Sequence, residues 1–258
     1  MRLFVSARGV EEAMVCTAVS DQVDMVDVED PREGPLGAPP PWVVRAVREM
    51  TPRGKQVSAT VGGAPFRPGA AALAALGAAA SGADQVRVGL FGTATPDQAV
   101  ELVRGVVRAV KEHDPALTVV ALGYADARRI GSVNPLSVPY VAHESGADGA
   151  MLDTAVKGGP GLFDLLEPSL CGEFAAAAHG FGLTAVLAGG LTAADAPDLA
   201  ATGADALAVR GAVCAGGDRE SGALRGESVT ALRQALDAQL GGSPYPSGLP
   251  LAGGAALS

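Results

Sequence analysis

The feature that most constrains this chain is a regular alternation of two kinds of segment. Short β-branched and apolar runs occur at Leu3–Ser6, Met25–Val28, Gln56–Thr60, Gln85–Gly89, Thr118–Gly123, Gly149–Asp153, Thr184–Ala188 and Ala206–Val209. Between them lie segments of helical period, such as Pro96–Glu112, where Ala99, Leu102, Val103, Val106, Val107 and Val110 form one apolar face. Such alternation is the signature of parallel strands joined by crossover helices. Eight units point to a (β/α)8 TIM barrel, expected as a single domain over residues 1–240. A doubly wound open sheet has the same periodicity. The absence of G-x-G-x-x-G after the first run weighs against it.

A weak internal repeat supports the count. Gly-Ala-Asp precedes the fourth, sixth and eighth runs, at Gly82–Asp84, Gly146–Asp148 and Gly203–Asp205, and Val23-Asp24 is a degenerate copy before the second. In each, Gly can end a helix and Asp can turn the chain into the next strand. The repeating unit is therefore βαβα.

With 48% hydrophobic residues but only 4% aromatic, the core must be built from Val, Leu and Ala. A formal charge of −9 excludes a broad electrostatic footprint for nucleic acid or an anionic membrane, so an anionic ligand needs a local cationic pocket. Cys16, Cys171 and Cys214 show no pairing or metal-ligand spacing and read as buried thiols. The first apolar run is too short for a signal peptide, and no stretch reaches the length of a membrane span, so a cytoplasmic protein is expected. Residues 241–258, rich in Gly, Pro, Ser and Ala without a period, are expected to form a flexible tail.

In a barrel, chemistry gathers where the strands end. Period-2 alternation in Val26-Asp27-Val28-Glu29 puts two carboxylates on one face. Strand four offers Arg87, strand five runs into Tyr124 and Asp126, and strand six ends at Asp153 with Lys157 four residues on. The chain has only three lysines; Lys55 and Lys111 read as surface residues, which leaves Lys157 as the amine near the site. Arginine cannot become a neutral nucleophile near neutral pH and lysine can, so Lys157 beside Asp153 points to Schiff-base or proton-transfer chemistry. A loop lysine merely paired with Asp153 is the plainer alternative. Gly189-Gly190 after strand seven and Arg210-Gly211 after strand eight read as a phosphate grip. His179, within a helical segment, reads as structural. The lack of G-x-S-x-G disfavours a hydrolase triad.

Several motifs, in order, resemble one family: DPREGPLGA (Asp30–Ala38), VSATVG (Val57–Gly62), GLFG (Gly89–Gly92), GYADA (Gly123–Ala127), MLDTAVK (Met151–Lys157) and VRGAVCAGGDR (Val209–Arg219). The chain resembles the (5-formylfuran-3-yl)methyl phosphate synthases of the methanofuran pathway. The resemblance implies a TIM barrel without metal or cofactor. It further implies an essential lysine, as in class I aldolases, and the joining of two triose phosphates into a furan aldehyde phosphate with loss of phosphate and water. Asp27, Asp153 and Lys157 match functional positions of the family. Two positions depart from it: Glu29 and Arg87 stand where the family carries lysine.

The expected function is accordingly a lyase acting on glyceraldehyde 3-phosphate or a close phosphorylated aldehyde. Lys157 would be the amine, Asp153, Asp27 and Glu29 would complete the catalytic set, and Arg87 with Gly189, Gly190, Arg210 and Gly211 would hold phosphate. Glu29 keeps two alternatives open, an aldolase or dehydratase on another sugar phosphate and a non-catalytic sugar-phosphate-binding homologue. Barrels of this size commonly assemble, and a homo-oligomer is expected.

Overall fold

A parallel strand buried on both faces must be covered by helices outside and by other strands' side chains inside, and closing the sheet on itself removes both edges. The computed structural model, which describes residues 1–34, 36–62 and 66–240, takes this solution. The expected tail lies outside the described residues. Strands β1 (Arg2–Ala7), β2 (Met25–Val28), β3 (Gln56–Thr60), β4 (Gln85–Gly89), β5 (Thr118–Tyr124), β6 (Gly149–Asp153), β7 (Thr184–Leu187) and β8 (Ala206–Val209) pair in parallel in chain order. Registration of Phe4 with Ala208 and of Val5 with Val209 joins β8 to β1 and closes the barrel. The open doubly wound sheet is thereby excluded.

The crossovers are α1 (Val10–Ala18), α2 (Pro41–Met50), α3 (Pro68–Ala80), α4 (Pro96–His113), α6 (Val138–Ser145), α8 (Pro168–Gly180) and α9 (Ala196–Thr202), and α10 (Gly226–Gln239) follows the last strand. Short helices α5 (Ala127–Ile130) and α7 (Leu162–Leu165) sit in the loops after β5 and β6. Helices α2, α3, α4 and α8 begin with proline, whose missing N–H lacks a helical partner there in any case. In α4, Thr95 adds a side-chain cap to the Gln98 amide. Its apolar face, Ala99, Leu102, Val103, Val106 and Val110, packs on the sheet. Among the described residues no helix is long and apolar enough to cross a membrane.

Two apolar layers result. Val, Leu and Ala side chains fill the space between strands and helices. Inside the barrel, Phe4, Met25, Val120, Leu122, Met151, Val186 and Ala206 form a separate cluster.

The four-fold repeat has a concrete role at the amino ends of the strands. Asp24, Asp84, Asp148 and Asp205 each accept the backbone N–H of the preceding odd strand, from Leu3, Val57, Val119 and Ala185, at 2.7–2.8 Å. Each returns its own amide to the carbonyl of that same residue at 2.8–2.9 Å. Each carboxylate also pairs with a cation or imidazole: Arg233 of α10, Arg48 of α2, Lys111 of α4 and His179 of α8. Helices α2, α4 and α8 lead into the odd strand that the aspartate grips, whereas α10 follows β8 and meets β1 only through closure, where Arg233 also donates to the Met1 carbonyl. Lys111, read from sequence as a surface residue, is thus half-buried in a strut, and His179 has the structural place expected of it.

At the opposite end, Gly89 ends β4 where Tyr124 and Leu36 meet. A Cβ there would collide with the Tyr124 hydroxyl and lie 2.8 Å from Leu36 Cδ1. That hydroxyl is buried with no hydrogen-bond partner among the described residues, and burial, followed by the nearby Asp153, Asp126 and Glu29 carboxylates, raises its pKa well above the phenolic value. Gly89→Ala should therefore cost about 1–3 kcal/mol through overpacking. In thermal unfolding that is about 2–4 °C per kcal/mol for a chain of this size, and adding Tyr124→Phe should recover part of the loss. Strictly additive effects would show that the two residues do not compete for this space.

Candidate active site

All nine residues singled out from the sequence, Asp27, Glu29, Arg87, Asp153, Lys157, Gly189, Gly190, Arg210 and Gly211, line one cavity of about 550 Å³ at the carboxyl ends of the strands. Its volume falls in the range typical of small-molecule sites, roughly 300–1,000 Å³. Alternation along β2 sends Asp27 and Glu29 inward together, as the spacing required.

The deepest charged element is an ion pair inside the barrel. Arg87 Nη1 lies 2.9 Å from Asp27 Oδ2, and both side chains are almost wholly buried. Ser6 Oγ donates to Asp27 Oδ2 at 3.1 Å and Ser58 Oγ to Oδ1 at 2.6 Å, so Asp27 is fully partnered. Arg87 also donates to Gln85 Oε1 at 3.3 Å, and its guanidinium lies over the Phe4 ring, 5.3 Å from the centroid. Arg87 therefore reaches the cavity floor already committed to Asp27.

Glu29, one layer higher, lacks such support. Among the described residues its one side-chain partner is Arg219 Nη2, at 3.5 Å. Burial first, and the Asp27 carboxylate second, raise its pKa above the ordinary carboxylate value, while Arg219 and Lys157 pull it down. The two carboxyl groups of β2 are thus differentiated by environment.

Lys157 lies where the sequence put it, with Nζ 3.0 Å from Asp153 Oδ2 and a second bond to the Thr154 carbonyl. The loop carrying it is shaped by Asp126, whose two carboxylate oxygens accept from the Ala155 and Val156 amides at 2.8 Å each. Asp153 is in turn tied by its own Oδ1 to the Thr154 amide at 2.7 Å. Asp126 was visible as a charged residue after β5, but its service to the next loop depends on strand adjacency.

At the anion corner, Gly189 and Gly190 have φ of 101° and 71°, and a Cβ on Gly190 would stand 3.1 Å from Gly161 Cα. Only glycine fits both the backbone conformation and the close passage of the β6 loop. Arg210 does line the cavity, yet four of its guanidinium contacts are already made: to both Glu12 oxygens at 2.6 and 2.9 Å, to the Ser6 carbonyl at 3.1 Å and to the Arg219 carbonyl at 2.9 Å. Arg8 adds bonds from its side chain and amide to Glu12 and reaches the Glu220 carbonyl. Burial pushes the Glu12 carboxyl up, but bonds from Arg210 and Arg8 outweigh it and hold the pKa at about 2. Glu12 thus organises two arginines that pin residues 219 and 220, and the cation so delivered to the cavity is Arg219. Glu12 carried no signal and Arg219 only its place at the end of the VRGAVCAGGDR motif, since nothing in local sequence marks contacts across 198 and 190 residues.

Other chemistries find little support among the described residues. The three thiols are buried, and desolvation raises Cys16 to about 12 and Cys171 to about 11. No cluster of three or more potential metal ligands of the His, Cys, Asp or Glu kind is present among them.

The site is thus a strand-end lysine beside a carboxylate within a ring of acids and cations. A family model described as 4-HFC-P synthase matches residues 3–233. The chain belongs to the 4-HFC-P synthase family. Relatives in this family include the (5-formylfuran-3-yl)methyl phosphate synthase of Methanocaldococcus jannaschii, 49% identical over 234 residues, covering 91% of this chain and 99% of the relative. That of Methanothermobacter thermautotrophicus is 48% identical over 237 residues, covering 92% and 99%. Among solved structures, a 3-hexulose-6-phosphate synthase superposes with a TM-score of 0.64 at 23% identity, covering 92% of this chain and all of that one, a likeness of fold.

The raised pKa of Glu29 in this 4-HFC-P synthase homologue has a consequence for stability. The folded state holds that proton to higher pH than the unfolded state, whose value is near 4.5, so stability falls as pH rises from there through the folded pKa. Glu29→Gln removes this burden. Its thermal midpoint relative to wild type should therefore rise as the pH is raised from about 4.5 and level off once the folded-state carboxyl is ionised. A constant difference across that range would show that Glu29 does not titrate differently in the folded protein.

Proposed function

We propose that the chain is a lyase of the aldolase kind that acts on phosphorylated trioses, joining two molecules of glyceraldehyde 3-phosphate into a furan aldehyde phosphate with loss of phosphate and water. The observation that carries this reading is Lys157, the one lysine lining the cavity among the described residues, held 3.0 Å from the Asp153 carboxylate. An amine so placed is suited to imine formation with an aldehyde, and Asp153 to moving the protons of that step. Asp27, locked on Arg87, supplies fixed negative charge at the floor, and Glu29, with its raised pKa, is suited to donate a proton during dehydration. The Gly189-Gly190 and Gly211 corner, with Arg219, is suited to a phosphate. Family membership with relatives named as furan phosphate synthases supports the same reaction.

One feature favours a second reading. Glu29 stands where the family resemblance implies a lysine, and a carboxyl there fits an aldolase or dehydratase acting on another phosphorylated aldehyde or sugar. Incubation with glyceraldehyde 3-phosphate, followed by furan absorbance and released phosphate, separates the two. Borohydride added with substrate should attach mass to the peptide carrying Lys157, and Lys157→Ala should lower turnover by about 10²- to 10⁴-fold. Label on Lys55 or Lys111 together with robust turnover by Lys157→Ala would end the assignment. Under the first reading wild type makes the furan product and Glu29→Lys abolishes it; under the second, wild type makes little and Glu29→Lys makes more.

A further inference from the structure

Among the described residues, Tyr124 carries the one buried side-chain polar atom that has no hydrogen-bond partner. A buried hydroxyl left without a partner costs stability, so its retention points to a task that the folded chain alone does not show. The ring is fixed at the barrel mouth. Phe91 meets it edge to face with 6.2 Å between centroids, and the register of β5 with β6 sets Tyr124 beside Asp153, the partner of Lys157. Its hydroxyl end lies over Gly89, in the space that a Cβ there would fill. Burial, and next the carboxylates of Asp153, Asp126 and Glu29, oppose ionisation, so this hydroxyl stays a neutral donor.

Between this hydroxyl and the main cavity stands Leu36. Its Cδ1 lies 2.8 Å from the same Cβ position over Gly89, and Leu36 lines the cavity that holds Glu29, Asp153 and Lys157. Leu36 is also the one non-glycine residue with a positive φ, 55°, among the described residues. A leucine rarely adopts that conformation, and such outliers gather at ligand sites. The backbone around it is pinned. The Leu36 carbonyl accepts from the Gly62 amide at 2.8 Å, and the Gly37 carbonyl accepts from the Asp30 amide at 2.9 Å and the Thr60 hydroxyl at 2.8 Å. Movement at this position is therefore confined to rotation of the side chain. Room for rotation exists, because Leu36 borders both the main cavity and a smaller one of about 380 Å³ beside it, whereas a packed core offers none.

We propose that Tyr124 is a further catalytic residue of this site: once the Leu36 side chain rotates into the smaller cavity, the Tyr124 hydroxyl donates a hydrogen bond to a carbonyl or hydroxyl oxygen of the substrate held at Lys157. This role rests on the phosphorylated-aldehyde reading above and deepens it. A neutral donor set in a dry wall is worth most where negative charge gathers on that oxygen during bond making, and it need not give up its proton. The unpaired hydroxyl and the left-handed leucine are then two parts of one device. Ligand contact satisfies the first by turning the second aside.

Tyr124→Phe should raise the thermal midpoint by at least about 2 °C, because it removes an unsatisfied hydroxyl, and should lower kcat with glyceraldehyde 3-phosphate by at least about 10-fold. A structural hydroxyl would not move the two in opposition. The chain has three tyrosines, Tyr124, Tyr140 and Tyr245, so isotope labelling at the tyrosine Cζ gives few nuclear magnetic resonance signals, and the one lost in Tyr124→Phe reports this hydroxyl. Glyceraldehyde 3-phosphate should shift that signal, and Leu36→Ala should lower the pH at which it titrates. Wild-type turnover by Tyr124→Phe overturns the proposal, as does a lowered midpoint in that variant or a titration unchanged in Leu36→Ala. A shifted signal with neither furan product nor trapped imine would keep the hydroxyl contact and remove the condensation reading. Furan formation, or substrate trapped on Lys157 by borohydride, with the signal unmoved would keep that reading and remove the contact.

Discussion

The buried pair of Arg87 and Asp27 is the constraint around which the upper barrel is arranged. Two charges withdrawn from water gain less from each other than their desolvation costs unless every remaining donor and acceptor is used. Here Ser6 from β1 and Ser58 from β3 complete Asp27, and Gln85 and the Phe4 ring complete the surroundings of Arg87. Four neighbouring strands thus contribute to one ionic cluster. Its satisfaction leaves nothing over for Glu29, whose carboxyl is buried above it with a distant arginine, and the raised proton affinity of Glu29 follows directly. A carboxyl whose proton affinity is raised by burial, set above a fully partnered ion pair, is an arrangement from which proton-transfer chemistry can be built.

The two ends of the barrel divide the tasks. At the amino ends, four aspartates repeat one device, each accepting the odd strand's amide and pairing with a cation or imidazole of a neighbouring helix. Because the device sits far from the cavity, it fixes strand positions without shaping chemistry, as barrels generally separate stability from function. At the carboxyl ends the same residue type serves loops instead: Asp126 holds the turn that delivers Lys157, and Glu12 anchors Arg8 and Arg210, which in turn hold the carbonyls flanking Arg219. Each reactive side chain is therefore oriented by a charged residue on a neighbouring element. Preorganisation of this kind keeps polar groups aimed without reorganisation when a ligand arrives.

Much of this was legible in the chain itself. The strands coincide with the apolar runs to within one residue at either end, because a parallel strand buried on both faces leaves a continuous hydrophobic signature. The pairing of Asp153 with Lys157 and the inward turn of Asp27 with Glu29 follow from spacings of four and two residues, and the Gly-Ala-Asp repeat marked the struts because each repeat ends a helix and starts a strand locally. Barrel closure was decided by tertiary structure, since periodicity is the same for an open sheet and only the pairing of β8 with β1 separates them. Closure also decided which cation serves the cavity: it sets Glu12 beside Arg210, removing that guanidinium from the ligand's reach, and brings Arg219 to Glu29 across 190 residues. Local sequence dictates which side chains reach the barrel mouth. Which of them remain uncommitted there is a matter of partner geometry between distant segments, and that exists only once the sheet is closed.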